Sequence, residues 1–154
     1  MESHAVALPS GGQNGTKGLR ACASGATTKA EKAREIIQRN HATGVRGEYH
    51  AKLKLGSEYH YHGTISKEFR DGFRRRPDFV RYDHLSGLPI EIVEVKNVSH
   101  LDISPQLTEM IAFAKNKRNM TFKLIIDERT VITEGLQQLL VSGDVSVERI
   151  LLQY

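Results

Sequence analysis

Apolar and polar residues alternate along this chain in two different periods, and the two periods divide it into elements. The clearest strand signal is Pro89 to Asn97, in which Ile90, Ile92, Glu94 and Lys96 share one parity and Glu91, Val93 and Val95 the other. Both parities are mainly apolar, which predicts a central strand covered on both faces. A shorter run, Phe79 to Tyr82, precedes it across a turn from Asp83 to Pro89 and predicts a hairpin, with Asp83 in the usual turn role of aspartate. Helical spacing takes over at Ser104-Pro105, an N-cap followed by a first-turn proline. Leu107, Met110, Ile111 and Ala114 then form one stripe, ending near Asn116 in the basic stretch Lys115 to Asn119.

The flanks read less sharply. Thr28 to Asn40 predicts a helix with a capping box between Thr28 and Glu31 and a small apolar edge at Ile36 and Ile37. Gly44 and Gly47 are expected to interrupt it, with a second helical piece over residues 47–55. Residues 58–65 predict a strand that places His60 and His62 on one face. These two could contact nucleic acid or a metal, although no acid or thiol at ligand spacing accompanies them. Downstream, residues 121–126 predict a strand reached by a right-handed crossover, 133–142 a helix and 145–154 a closing strand. Residues 1–27, rich in Gly, Ser, Ala and Thr, offer little to bury and read as a flexible linker or leader ahead of one domain at 28–154.

The central strand poses a chemical problem. Glu94 and Lys96 lie at the end of a run that is otherwise buried, and burying unpartnered charge is costly. They either neutralise each other as a structural pair or open into a polar cleft that holds a metal. Asp78, at the mouth of the preceding strand, favours the cleft. Two carboxylates and a lysine suit metal-assisted phosphodiester hydrolysis, with the acids on a hard divalent cation and the ammonium beside the attacking water. Immediately before Asp78, Arg74, Arg75 and Arg76 could hold the phosphates of a nucleic acid, because guanidinium pairs with phosphate through two donors. The alternative is a solvated loop. Gln106, in the first turn of the helix at 104, could face the same cleft or solvent.

Composition narrows this only a little. The chain has 154 residues, 39% hydrophobic and 26% charged, with a formal net charge of +4; this fits one soluble domain and modestly favours polyanionic partners. Cys22 is the single cysteine, which excludes an intrachain disulfide. No apolar run reaches the ~20 residues of a membrane span, so no membrane insertion is expected, and no signal peptide is visible.

The arrangement Pro77-Asp78, then Glu94-Val95-Lys96, resembles the PD-(D/E)xK superfamily of restriction-endonuclease-like nucleases. Asn97-Val98, Leu101, Ser104, Gln106-Leu107 and Ala112-Phe113-Ala114 extend the similarity toward the restriction-endonuclease-fold toxin domains of bacterial polymorphic toxins, of the Rhs and type VI kinds. That resemblance implies an α/β fold with an αβββαβ core, a central mixed sheet flanked by helices. It also implies a Mg2+ site, with Mn2+ as a substitute, formed by Asp78, Glu94 and the backbone carbonyl of Val95. A further ligand, Glu48, follows from Gly47-Glu48, which resembles the start of the superfamily's first helix. Lys96 and Gln106 would position water or phosphate. The activity implied is DNA cleavage by a toxin domain, carried by a larger polypeptide or secretion apparatus into a target-cell cytoplasm by a non-classical route and restrained by an immunity protein. A restriction or repair nuclease of the same fold, or a binding module without catalysis, are the alternatives.

Overall fold

The structure, a computed structural model, describes residues 28–70, 72–142 and 145–152, with nothing stated of the side chains at 67 and 68. The expected linker at 1–27 and the last two residues of the expected closing strand lie outside the described residues. The elements run α1 (Lys29–Lys54), β1 (Tyr59–Tyr61), α2 (Lys67–Arg70), β2 (Phe79–Tyr82), β3 (Pro89–Lys96), β4 (His100–Leu101), α3 (Pro105–Lys115), β5 (Thr121–Asp127), β6 (Val131–Ile132), α4 (Glu134–Val141) and β7 (Val145–Ile150).

Five strands form one sheet in the order β1-β2-β3-β5-β7, with β3 at its centre. The short connections make β1, β2 and β3 antiparallel neighbours. The longer ones, which carry α3 and α4, make β3, β5 and β7 parallel. The sheet is therefore mixed, as expected. Asp83 closes the hairpin turn as aspartate should, its Oδ1 accepting from the backbone N–H of Leu85 and Ser86 and from the Ser86 hydroxyl.

Each face of β3 has its own core. Ile92 packs with Val80, Phe122, Leu124 and Ile126 under Leu107, Met110, Ile111 and Ala114 of α3 and Leu136 of α4. Val93 and Val95 face the other way and pack with Phe79, Ile125, Ile150 and Leu152 against Ala51 of α1. The helical stripe and the two-sided strand were both legible from spacing. By parity, Glu94 and Lys96 project on the side of Ile92, toward α3.

Four expectations need correction. Gly44 and Gly47 do not divide the first helix, which runs unbroken through both. A glycine inside a helix costs only about 1 kcal/mol, and at Gly47 packing requires it: a Cβ there would stand 2.8 Å from the Cβ of Asn97, just past β3. Among the described residues nothing lies within 4 Å of a Cβ at Gly44, so no contact there explains that residue. The anticipated apolar edge is not buried, since Ile36 and Ile37 are 55% and 67% exposed and burial in α1 starts only near Gly47. The strand expected over 58–65 ends at Tyr61, because His62 takes a left-handed backbone conformation with φ 50°. His60 and His62 consequently part. His60 lies edge-on to Tyr82 at 5.2 Å between ring centres, whereas His62 turns toward α1. The small parallel sheet of β4 and β6 had no counterpart in the expected elements.

Candidate active site

The β2–β3 ladder ends at Phe79 opposite Val93, so the backbone N–H of Val95 lies one step beyond the last strand partner on that side. The side chain of Asp78 takes it, with Oδ2 accepting at 2.7 Å. This fixes Asp78 beside the outgoing end of β3. Burial pushes its carboxyl up to about 7, the negative charge of Glu94 adds to the shift, and the Val95 N–H opposes it.

Glu94 is 2% exposed. Its Oε1 accepts from Lys96 Nζ at 2.6 Å and from Gln106 Nε2 at 2.7 Å, while Lys96 Nζ is also 3.5 Å from Gln106 Oε1. The structural pair between Glu94 and Lys96 is therefore present, but it occupies only one carboxylate oxygen. Glu94 Oε2 is buried with no hydrogen-bond partner among the described residues. Burial raises the Glu94 carboxyl, and the Lys96 charge and hydrogen bond pull against that rise. An unsatisfied buried oxygen costs about 1–3 kcal/mol, and more when charged. A bound water or a cation would satisfy it.

A third carboxylate arrives from α1. Gly47 lets the helix pack closely on Asn97, whose Nδ2 donates to Thr43 O at 3.1 Å, and this contact delivers the next residue, Glu48, to Asp78. Glu48, His62 and Asp78 each offer a ligand atom, all within 4.8 Å of one another. Glu48 Oε2 accepts from the Tyr61 hydroxyl at 2.5 Å and lies 3.6 Å from His62 Nε2. That hydrogen bond pushes the Tyr61 phenol up to about 12. Tyr61 and His62 stack, with ring centres 3.7 Å apart.

The site residues expected from sequence thus fall into two groups. Asp78, Glu94, Lys96 and Gln106 gather at the end of β3, with Val95 contributing its N–H to Asp78, and Glu48 reaches Asp78 from α1. The three arginines face different partners. Arg76 Nη2 lies 3.0 Å from His62 Nδ1, and Arg75 binds both carboxylate oxygens of Glu109 on α3 at 2.7 and 3.1 Å. Arg74 lines a groove of about 530 Å³ with Arg70, Phe73, Phe113 and Lys117, none of which belongs to the acidic cluster. His62 and Tyr61 are the residues that sequence reasoning did not place at the site. The aromatic run singles out His62, but its acidic neighbours come from α1 and from the residue before β2, so no local spacing announces them.

The donor set fits a hard divalent cation: carboxylate oxygens from three elements, one of them buried and unpartnered, and an aspartate held up near 7 partly by a neighbouring acid. No curated protein and no solved structure matches the chain. A family model does, that of restriction endonuclease fold toxin 7, over residues 63–136. The matched span holds Asp78, Glu94, Lys96 and Gln106 and leaves out Glu48, His62 and β7. With the mixed sheet and flanking helices described above, the match over residues 63–136 supports a restriction-endonuclease-fold toxin domain.

Proposed function

We propose that this domain is a divalent-metal-dependent endonuclease that hydrolyses DNA phosphodiester bonds, and that it acts as the DNase part of an interbacterial toxin. The observation that carries the reading is the carboxylate of Glu94: one oxygen clamped by Lys96 and Gln106, the other buried without a donor among the described residues, and the charge close enough to raise the Asp78 carboxyl.

Asp78, Glu94, Glu48 and the carbonyl of Val95 would hold the ion, Mg2+ or in its place Mn2+. When bound, such an ion neutralises phosphate charge and makes water more acidic. The chain's own groups do the rest. In hydrolysis a water oxygen bonds to phosphorus as the bond to the leaving sugar oxygen breaks. Lys96, oriented through Glu94 Oε1, holds that water and offsets the charge that develops on phosphate oxygen. Gln106 keeps Glu94 turned so that its second oxygen stays available. Arg74, Arg75 and Arg76, exposed ahead of Asp78, hold the flanking phosphates. Arg75 would exchange Glu109 for phosphate to do so.

The toxin part of the reading draws on the family match, and it brings with it delivery into a target cell, a larger carrier and a cognate immunity protein. No helix among the described residues is long and apolar enough to cross a membrane. The test is cleavage of supercoiled plasmid by the purified protein with Mg2+, with EDTA and with Lys96→Ala. Metal-dependent nicking that disappears in the variant is the expected result; cleavage indifferent to Lys96 would overturn the site. RNA assayed in parallel decides the substrate. Growth arrest on cytosolic expression, absent for Lys96→Ala, tests the toxin role.

A further inference from the structure

The cluster of Glu48, His62 and Asp78 contains a donor that an oxygen-only metal site does not need. An imidazole ligand strengthens a site for late first-row ions such as Ni2+ and Zn2+, whereas Mg2+ takes oxygen ligands. Whether His62 can ligate depends on which ring nitrogen has a lone pair to give. Arg76 decides this, because its Nη2 lies 3.0 Å from His62 Nδ1 and a guanidinium has donors only. Nδ1 is therefore the acceptor, and the hydrogen of the ring sits on Nε2. Nε2 is the nitrogen that faces Glu48, 3.6 Å from Oε2. The nitrogen that faces Glu48 thus offers a hydrogen and no lone pair.

The ring is held in this pose. It stacks on Tyr61 with an interplanar angle of 24°, and the His62 backbone N–H donates to the carbonyl of Asp78 at 2.7 Å. Tyr61 thus hydrogen-bonds the Glu48 oxygen that His62 Nε2 stands 3.6 Å from.

We propose that Arg76 sets the metal preference of the site: by donating to Nδ1 it keeps the ring hydrogen of His62 on Nε2, facing Glu48, and holds His62 out of the coordination shell. The cluster then offers carboxylate oxygens and takes Mg2+ or Mn2+ in preference to Ni2+ or Zn2+. This deepens the metal-dependent reading above and rests on it for the ligands; the tautomer rests on hydrogen-bond geometry alone. Arg76 and His62 are positioning residues in this scheme.

The test begins with long-range 1H–15N NMR of the histidine rings in metal-free protein. Wild type should show His62 as the Nε2–H tautomer, Arg76→Ala should lose that preference, and Arg76→Glu, which presents an acceptor, should reverse it. Calorimetric titrations with Mg2+, Mn2+ and Ni2+ follow. In Arg76→Ala the affinity for Ni2+ relative to Mg2+ should rise about tenfold or more, the size expected for a residue behind a ligand. It should return to the wild-type ratio in Arg76→Ala/His62→Gln. A wild-type ring with its hydrogen on Nδ1 would overturn the proposal, as would an unchanged metal ratio in Arg76→Ala. So would a wild-type affinity for Ni2+ that falls in His62→Gln alone. None of these readouts uses nucleic acid, so a protein that fails to cut plasmid sinks the nuclease reading without touching the tautomer. An Nδ1–H ring sinks the tautomer and leaves cleavage through Asp78 and Glu94 standing.

Discussion

Glu94 on β3 and Asp127 on the neighbouring parallel strand β5 are both buried carboxylates, at 2% and 0% exposure. Every direction around Asp127 is satisfied: Oδ1 accepts from the backbone N–H and Nε of Arg129, and Oδ2 accepts from Arg129 Nη2 and the backbone N–H of Leu152. Its carboxyl is pulled down to about 2, first by the Arg129 side-chain hydrogen bond. Around Glu94 the donors converge on one oxygen and the other has none. Burial raises its carboxyl, and the crowding helps to hold Asp78 near 7. Burial alone does not distinguish a functional acid from a structural one. The completeness of its hydrogen bonding is where the two differ: Asp127 is saturated and ties Leu152 to β5, whereas Glu94 keeps one oxygen unsaturated, where the proposed function puts a cation.

The sharpest way to break this comparison is to neutralise each acid in turn. Glu94→Gln, like Lys96→Ala, should lower the plasmid cleavage rate by about 100- to 1000-fold while leaving the metal-free melting temperature equal or higher. A large loss of stability would place Glu94 with Asp127 instead. The converse holds for Asp127→Asn. It breaks charged hydrogen bonds in a buried place and should cost about 2–3 kcal/mol in denaturant unfolding, with the cleavage rate per folded molecule unchanged.

Gly47→Ala falls between the two. Its methyl would press on Asn97 and should cost about 1–3 kcal/mol. Because the same contact brings Glu48 to Asp78, cleavage should drop as well, and retention of full activity would remove Glu48 from the site.

Acidity separates the two acids by sign and has the smallest effect. Asp127 has a lowered carboxyl, so its stabilisation is complete above the ordinary value of 3.8 and is lost as the pH falls toward 2. Asp78 is raised from 3.8 to about 7, so the fold disfavours its ionised form and metal-free stability should decline as the pH rises across that interval. Melting temperatures from pH 2 to 8, for wild type, Asp127→Asn and Asp78→Asn without metal, check both signs. Each variant should flatten only its own limb of the curve, and a divalent ion should restore stability at the upper end.

Several of these features could be read from residue order because they are local. The capping box at Thr28 and Glu31, the N-cap at Ser104, the turn at Asp83 and the two-sided apolar strand at 89–96 each depend on neighbours within a few residues. Glu94 and Lys96 were legible for the same reason: a charge inside an otherwise buried run is anomalous in one dimension. His62 was not, since its neighbours Glu48, Arg76 and Asp78 come from other parts of the chain, and the turn at positive φ that aims it interrupts the parity on which a strand argument depends. The unbroken α1 escaped notice because propensity penalises both glycines, and only the proximity of Asn97 shows what Gly47 permits.

The order of residues by itself therefore determined the central strand, the helix that follows it, and the presence of two acids and a lysine where an apolar run should continue, because backbone periodicity and the cost of buried charge are local properties. Tertiary structure alone decided which oxygen of Glu94 is left without a donor, that Glu48 meets Asp78, and that Arg76 claims one nitrogen of His62. Those outcomes depend on distances between elements far apart in the chain, and hydrogen bonds act only over about 3 Å.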